Sequence, residues 1–179
     1  MHKNNNKYFD SFSNICKVDG AKSLSYQYEL KNGQFDFKLL KEFKKVIKIE
    51  NTFRLLLHPS PQSDLHDMVI AMKNNTCVLP HKHHKSESYH IIDGEMLLVY
   101  FNNDGHINNI VKLSHQNTFV ARVDADQYHG VIALSEYIIF HETRIGPFHR
   151  NSDSIFATWA DNDTTAYIQR VLHAYKGIQ

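Results

Sequence analysis

The chain has few of the features that staple, anchor or target a protein. Two of its 179 residues are cysteine, Cys16 and Cys77. They lie far apart and form no C-x-x-C pair, which reads as two reduced thiols rather than a disulfide framework. No run of 18 apolar residues occurs, so no membrane-spanning helix is expected. The opening residues, Met1 to Lys7, are polar and lead into no apolar core of a secretion signal. A cytoplasmic protein is therefore expected. The triplets Asn74-Asn75-Thr76 and Asn162-Asp163-Thr164 then read as chance matches to a glycosylation acceptor. An excess of one charge is also missing: 20 Lys and Arg stand against 19 Asp and Glu, a formal net charge of +1. With no basic excess to displace counterions, nucleic acid is not expected as the main partner.

The length suits one domain with an extension, and such a chain buries about 70% of its unfolded surface without staples. Residues 1 to about 34 carry little pattern, apart from a short strand expected over Ser25–Leu30 and a turn at Lys31-Asn32-Gly33. Over residues 35–49, Leu39, Leu40, Phe43, Val46 and Ile47 recur at helical spacing with lysines between them. The stripe is short and Glu42 interrupts the basic face, so this helix is expected to pack on the body of the fold rather than on a membrane. From about residue 52, short apolar runs alternate with turns. Strands are expected over 53–58, 65–72, 76–79 and onward, 95–101, 106–113, 118–123, 129–134 and 137–143, with Asp104-Gly105 making a hairpin turn. About nine strands with no helix between them predict an antiparallel sandwich or barrel, and missing crossover helices argue against a parallel sheet. After Gly146-Pro147 the chain leaves the barrel. Asp163 or Thr164 caps a last helix whose stripe of Tyr167, Val171, Leu172 and Tyr175 is expected to pack on the barrel or on a second subunit.

The chemistry concentrates between Pro80 and Gly94, where His81, His83, His84, His90 and Glu87 fall within fifteen residues. On one extended backbone, odd-numbered residues share a face. His81, His83 and Glu87 are therefore expected to point one way, and Lys82, His84 and His90 the other. Two imidazoles and a carboxylate make a partial metal shell of mixed nitrogen and oxygen donors. A decorated surface strand is the plain alternative, since 13 histidines in one chain cluster easily by chance. The spacing H-x-H-x3-E-x6-G is more specific than that.

This spacing resembles the first motif of the cupin superfamily, in which both histidines and the glutamate bind a metal inside a small barrel. The second cupin motif, P-x-G-x-x-H, is met loosely by Asp124-Ala125-Asp126-Gln127-Tyr128-His129. The histidine stands in its place, while Asp124 and Asp126 replace the proline and the glycine. The resemblance thus implies His129 as a fourth ligand. More narrowly, the sequence resembles the WbuC family of cupin-fold metalloproteins over about residues 50 to 165. Arg54, His58-Pro59-Ser60, Pro80 to His83, Glu142, Gly146-Pro147-Phe148 and Phe156 to Ala160 carry the match. Members tend to be encoded among genes for O-antigen or other surface polysaccharides. The resemblance implies a mainly β, single-domain cupin, a double-stranded β-helix or jelly-roll barrel, that pairs as a homodimer through its sheets. Residues 1–50 would form an N-terminal extension, 51–148 the barrel, and 149–179 a tail and helix.

Three imidazoles and one carboxylate suit Zn, Fe(II), Mn, Co or Ni, and residue types do not choose among them. Four protein ligands leave up to two open positions on a six-coordinate ion, whereas a closed tetrahedral zinc would be structural. Tyr89, sharing parity with Glu87, joins His58 and Glu142 as a candidate for moving protons, and Arg54 is a candidate substrate contact. Only one of His141 and Glu142 can face inward on an alternating strand. Trp159 is expected to pack. Together with the resemblance, these residues suggest a metal-dependent isomerase or epimerase acting on a sugar or nucleotide-sugar in surface polysaccharide (O-antigen) biosynthesis. An Fe(II)-dependent dioxygenase acting on a small metabolite, or a non-catalytic metal- or sugar-binding module, are the alternatives.

Overall fold

A computed structural model of the chain describes residues 7–21, 23–29, 32–149, 152–160 and 163–178. Among these residues, twelve strands and two helices follow in the order β1 (Ile15–Lys17), β2 (Ser25–Tyr28), α1 (Phe37–Val46), β3 (Thr52–Leu56), β4 (Leu65–Lys73), β5 (Cys77–Lys82), β6 (Glu87–Asp93), β7 (Met96–Phe101), β8 (Ile107–Leu113), β9 (Val120–Val123), β10 (Tyr128–Ala133), β11 (Tyr137–Ile145), β12 (Ile155–Phe156) and α2 (Thr164–Lys176). They build a seven-stranded sheet, β1-β2-β3-β4-β11-β6-β9, and a five-stranded sheet, β12-β5-β10-β7-β8. From β4 onward successive strands switch between the sheets, as in a jelly roll, except for the β7–β8 hairpin. The pairing is antiparallel throughout, as alternation without crossover helices requires, except for the parallel pair β2–β3 in the N-terminal part.

Strand alternation divides the core into layers. Between the sheets lie Met72, Ile91, Met96, Leu98, Val131, Ile138 and Phe140. The outer face of the five-stranded sheet buries Leu97, Val99 and Ile132 under Tyr167 and Val171 of α2. β7 therefore reads as an unbroken apolar run: both of its faces are covered. On the outer face of the seven-stranded sheet, Leu39, Phe43 and Val46 of α1 pack with Phe53, Leu55 and Val69. Phe9 and Tyr26 join this layer, so the weakly patterned N-terminal part belongs to a core.

The helices start where side-chain caps allow. Asp36 accepts from the Leu39 N–H at 2.9 Å, and Asp163 accepts from the Thr165 and Ala166 N–H groups at 2.9 and 3.1 Å; these bonds satisfy donors that a helix N-terminus leaves open. α1 is shorter than the 35–49 span expected from its stripe, because the chain turns after Val46. β1 and β12, with three and two residues, are too short to leave a periodic signal. Gly94 ends β6 at φ +84°, and a Cβ there would lie 2.3 Å from the Tyr137 carbonyl oxygen, so only glycine fits. Among the described residues, no helix is long and apolar enough to cross a membrane.

Candidate metal centre

The three residues expected to share one strand do not. His81 is on β5, His83 in the connection that follows, and Glu87 is the first residue of β6. β5 belongs to the five-stranded sheet and β6 to the seven-stranded one. The chain therefore turns a corner between sheets within six residues. The side chains converge because the corner bends around a point, not because they alternate on one strand. His129 on β10 lies directly across from His81 in the five-stranded sheet. Lys82, His84 and His90 point elsewhere, as expected. Lys82 lies over the Tyr128 ring, His84 is exposed beside Asp126, and His90 meets His141 edge-on. Asp126, which stands in the glycine position of the second motif, adopts φ +62°. An aspartate tolerates that left-handed conformation. Its N–H donates to the His83 carbonyl at 2.7 Å, which ties the β9–β10 turn to the corner.

His81, His83, Glu87 and His129 are 6%, 7%, 3% and 0% exposed, and one donor atom from each lies within 4.8 Å of all the others. Each imidazole has its Nδ1 against a backbone carbonyl: His81 on Leu79 at 2.9 Å, His129 on Gln127 at 3.0 Å, and His83 on Asp153. A carbonyl only accepts, so each Nδ1 carries a proton and Nε2 is left as the coordinating nitrogen; on His129, Nε2 also holds a proton against Glu87, which a cation would displace. Glu87 Oε1 lies 2.6 Å from His129 Nε2 and accepts from the Tyr89 hydroxyl at 2.9 Å. Glu87 Oε2 is buried with no hydrogen-bond partner among the described residues and lies 3.5 Å from His83 Nε2. An orphaned carboxylate oxygen is costly in an interior, and a cation at this point would satisfy it.

The electrostatics agree. Burial, and then repulsion from His129 and His83, push His81 down to about 3. Burial also lowers His83. Burial would raise Glu87, but the His129 hydrogen bond and the three imidazoles hold it at about 2. Burial opposes a charge on His129, yet Glu87 outweighs it and raises its pKa. The set thus presents an ionised carboxylate and imidazole nitrogens ready to coordinate, with a His129 proton standing where a cation would. Three nitrogens and one oxygen that converge, beside an orphaned Glu87 Oε2, fit a divalent metal ion; loading would release that proton.

A second polar group lines the inner face of the seven-stranded sheet. Glu142 of β11 stands between Tyr89 of β6 and Met68 of β4, and it is Glu142, not His141, that faces inward. His141 points outward, 3.2 Å from Asp67. The Glu142 carboxylate makes no hydrogen bond or ion pair among the described residues. Burial and the Glu87 charge raise its pKa to about 7, against the pull of Arg144 and Arg54. Arg54, on the same inner face, donates to Ser23 Oγ. Tyr89 is buried, spans Glu87 and His129 (3.2 Å), and is held protonated by burial. His58 stacks on His66 with ring centroids 4.1 Å apart, bonds the Asp67 carbonyl at 2.9 Å, and is kept neutral by burial. Trp159 packs against Phe101 and Tyr128.

Sequence reasoning missed Arg144, His66 and Asp153. Arg144 was findable: it lies two residues beyond Glu142, so the alternation that turns one inward turns both. Asp153 acts on His83 through its main-chain oxygen, which no residue type announces.

The family described as a domain of unknown function (DUF6016) matches residues 53–113, under half of the chain. No curated protein matches. Among solved structures, the capsular polysaccharide assembling protein CapF from Staphylococcus aureus is 18% identical; the match covers 57% of this chain and 29% of that one, with a TM-score of 0.51. An uncharacterized conserved protein with a double-stranded β-helix domain from Klebsiella pneumoniae is 18% identical over 61% of this chain and 86% of that one, with a TM-score of 0.47. KdgF from Halomonas sp. is 16% identical over 57% and 86%, with a TM-score of 0.45. The chain thus spans under a third of CapF, and a likeness at this identity speaks to fold alone. That fold is the cupin double-stranded β-helix, here enclosing a buried three-histidine, one-glutamate cluster able to hold a metal ion.

Proposed function

We propose that the chain is a metal-dependent enzyme of isomerase or epimerase type, acting on a sugar or nucleotide-sugar in surface polysaccharide assembly. The observation that carries this reading is Glu142: a carboxylate on the inner wall beside the cluster, without a hydrogen-bond partner, and raised to about 7. A group titrating near neutrality can both take and return a proton, which is the work of an isomerase. In this reading His81, His83, Glu87 and His129 hold the metal, which when bound supplies Lewis acidity toward a substrate carbonyl or hydroxyl. Glu142 moves the proton. Tyr89 positions Glu87 and His129. Arg54 and neutral His58 contact the substrate from the same wall. The sugar class comes from the sequence resemblance to WbuC, and not from CapF. The cupin resemblance also implies a homodimer, in keeping with a protein expected in the cytoplasm from its two reduced thiols and polar N-terminus. Leu65, Val120 and Ile145, each about half exposed on the seven-stranded sheet, offer such a dimer an apolar face, and light scattering reads the mass.

The test is deuterium exchange. Metal-loaded protein is incubated in D2O with keto-sugars and nucleotide keto-sugars, and the carbon beside the carbonyl is followed by NMR. The expected result is metal-dependent exchange that falls about 100-fold or more in Glu142→Gln while metal content is kept. Exchange that proceeds equally in Glu142→Gln, or none with any keto-sugar, contradicts the proposal and leaves a binding module or another chemistry.

A further inference from the structure

Two pockets open at the end of the sheets beside the metal centre, and Arg144 forms part of the wall of both. The first, about 120 Å³, is lined by His83, Lys85, Arg144, His149, Ser152 and Asp153. The second, about 170 Å³, is lined by Ser86, Glu87, Ser88, Arg122, Thr143 and Arg144 among others. The first pocket has room for a small group but not for a whole nucleotide, and it touches the metal centre through His83.

We propose that Arg144 anchors an oxyanion of the substrate at this mouth, with Lys85 as the second cation. This rests on the reading of the cluster as a metal enzyme's centre. Arg144 is a built feature: its side chain is 12% exposed, and one edge is paired with Asp153 at 2.7 Å. The Phe148 ring lies 5.2 Å from its central carbon. A guanidinium offers five N–H donors in a planar fork suited to two oxygens at once. Asp153 occupies one side and weighs against an anion. Lys85 offsets it, because its ammonium is held by the carbonyls of Gly146 and Pro147 and has no carboxylate partner among the described residues. The first pocket therefore carries two fixed cations against one carboxylate, before His149 is counted. The hydroxyls of the second pocket suit the polyol part of the same molecule. A phosphate and a sugar carboxylate share the chemistry recognised here.

The experiment titrates inorganic phosphate, and separately acetate, into metal-loaded protein by calorimetry at low ionic strength. Wild type is compared with Arg144→Gln, and metal content is measured in both. The expected result is saturable binding of at least one anion, weakened at least tenfold in Arg144→Gln with metal content unchanged. The anion that binds more tightly names the source. A readout on the wild-type chain guards against a misfolded variant: the bound anion should slow phenylglyoxal modification of Arg144, read by peptide mass spectrometry, without slowing that of Arg170, which is exposed on α2. Metal-loaded wild type that binds neither anion, equal binding by both proteins, or equal protection of Arg170 overturns the proposal. The two readings fail separately: Arg144-dependent anion binding by a protein that takes up no metal defeats only the metal-enzyme reading.

Discussion

Replacing Glu142 by glutamine removes a half-buried charge while keeping the shape of the side chain. The carboxyl is raised from an ordinary 4.5 to about 7, first by burial and then by Glu87. Folding therefore favours its protonated form. That contribution is fully present below 4.5 and is lost as pH rises through about 7, so ionised Glu142 destabilises the fold at pH 8. At about 1.4 kcal/mol per pH unit, the separation amounts to roughly 3.5 kcal/mol, of which about 2.5 kcal/mol falls between pH 5 and 8. The glutamine variant carries no such charge. In chelator-treated protein the variant should gain on wild type as pH rises from 5 to 8, by roughly 5–10 °C in melting temperature for a chain of this size. Differential scanning calorimetry at half-unit pH steps reads this directly. Metal should narrow the gap, because a cation on Glu87 removes the second cause of the shift. A melting difference that stays constant across the range would refute the reasoning: Glu142 would then be an ordinary solvated carboxylate, and its role as a proton carrier would lose its physical basis.

Tyr89→Phe deletes the hydroxyl that spans Glu87 and His129; metal affinity should fall about 10–100-fold, measured by competition with a chelating dye. Phe43→Ala empties a fully buried site among Phe9, Phe35 and Phe53. It should cost about 3–5 kcal/mol in urea unfolding and leave metal content unchanged, because α1 packs on the sheet face opposite the centre. Asp163→Ala removes the α2 cap and should cost about 1 kcal/mol, read the same way.

Most of the strands were legible because each sheet face is either covered or solvated, and that writes a period of two into the chain. β7 stood out for the opposite reason, since both of its faces are buried. The N-terminal part stayed opaque: Phe9, Ile15 and Tyr26 enter the core one at a time, at spacings that belong to no repeat. The four clustered residues were named from spacing and resemblance, but the reason offered for the convergence of His81, His83 and Glu87 was wrong. Parity along one strand cannot describe a corner that passes from one sheet to the other. Parity did serve on β11, where it left a choice between His141 and Glu142 that packing resolves: Phe140 and Glu142 share the inner face with Tyr89. The carbonyls that fix the imidazoles are main-chain groups, set by fold and invisible in residue types.

The central claim is that His81, His83, Glu87 and His129 hold a metal ion. The most direct test is metal content by mass spectrometry on tag-free protein, beside His83→Ala. The account predicts close to one divalent ion per chain in wild type, lost in the variant while its circular dichroism is retained. Wild type that takes up no metal after reconstitution, or a variant that holds as much metal as wild type, would contradict it.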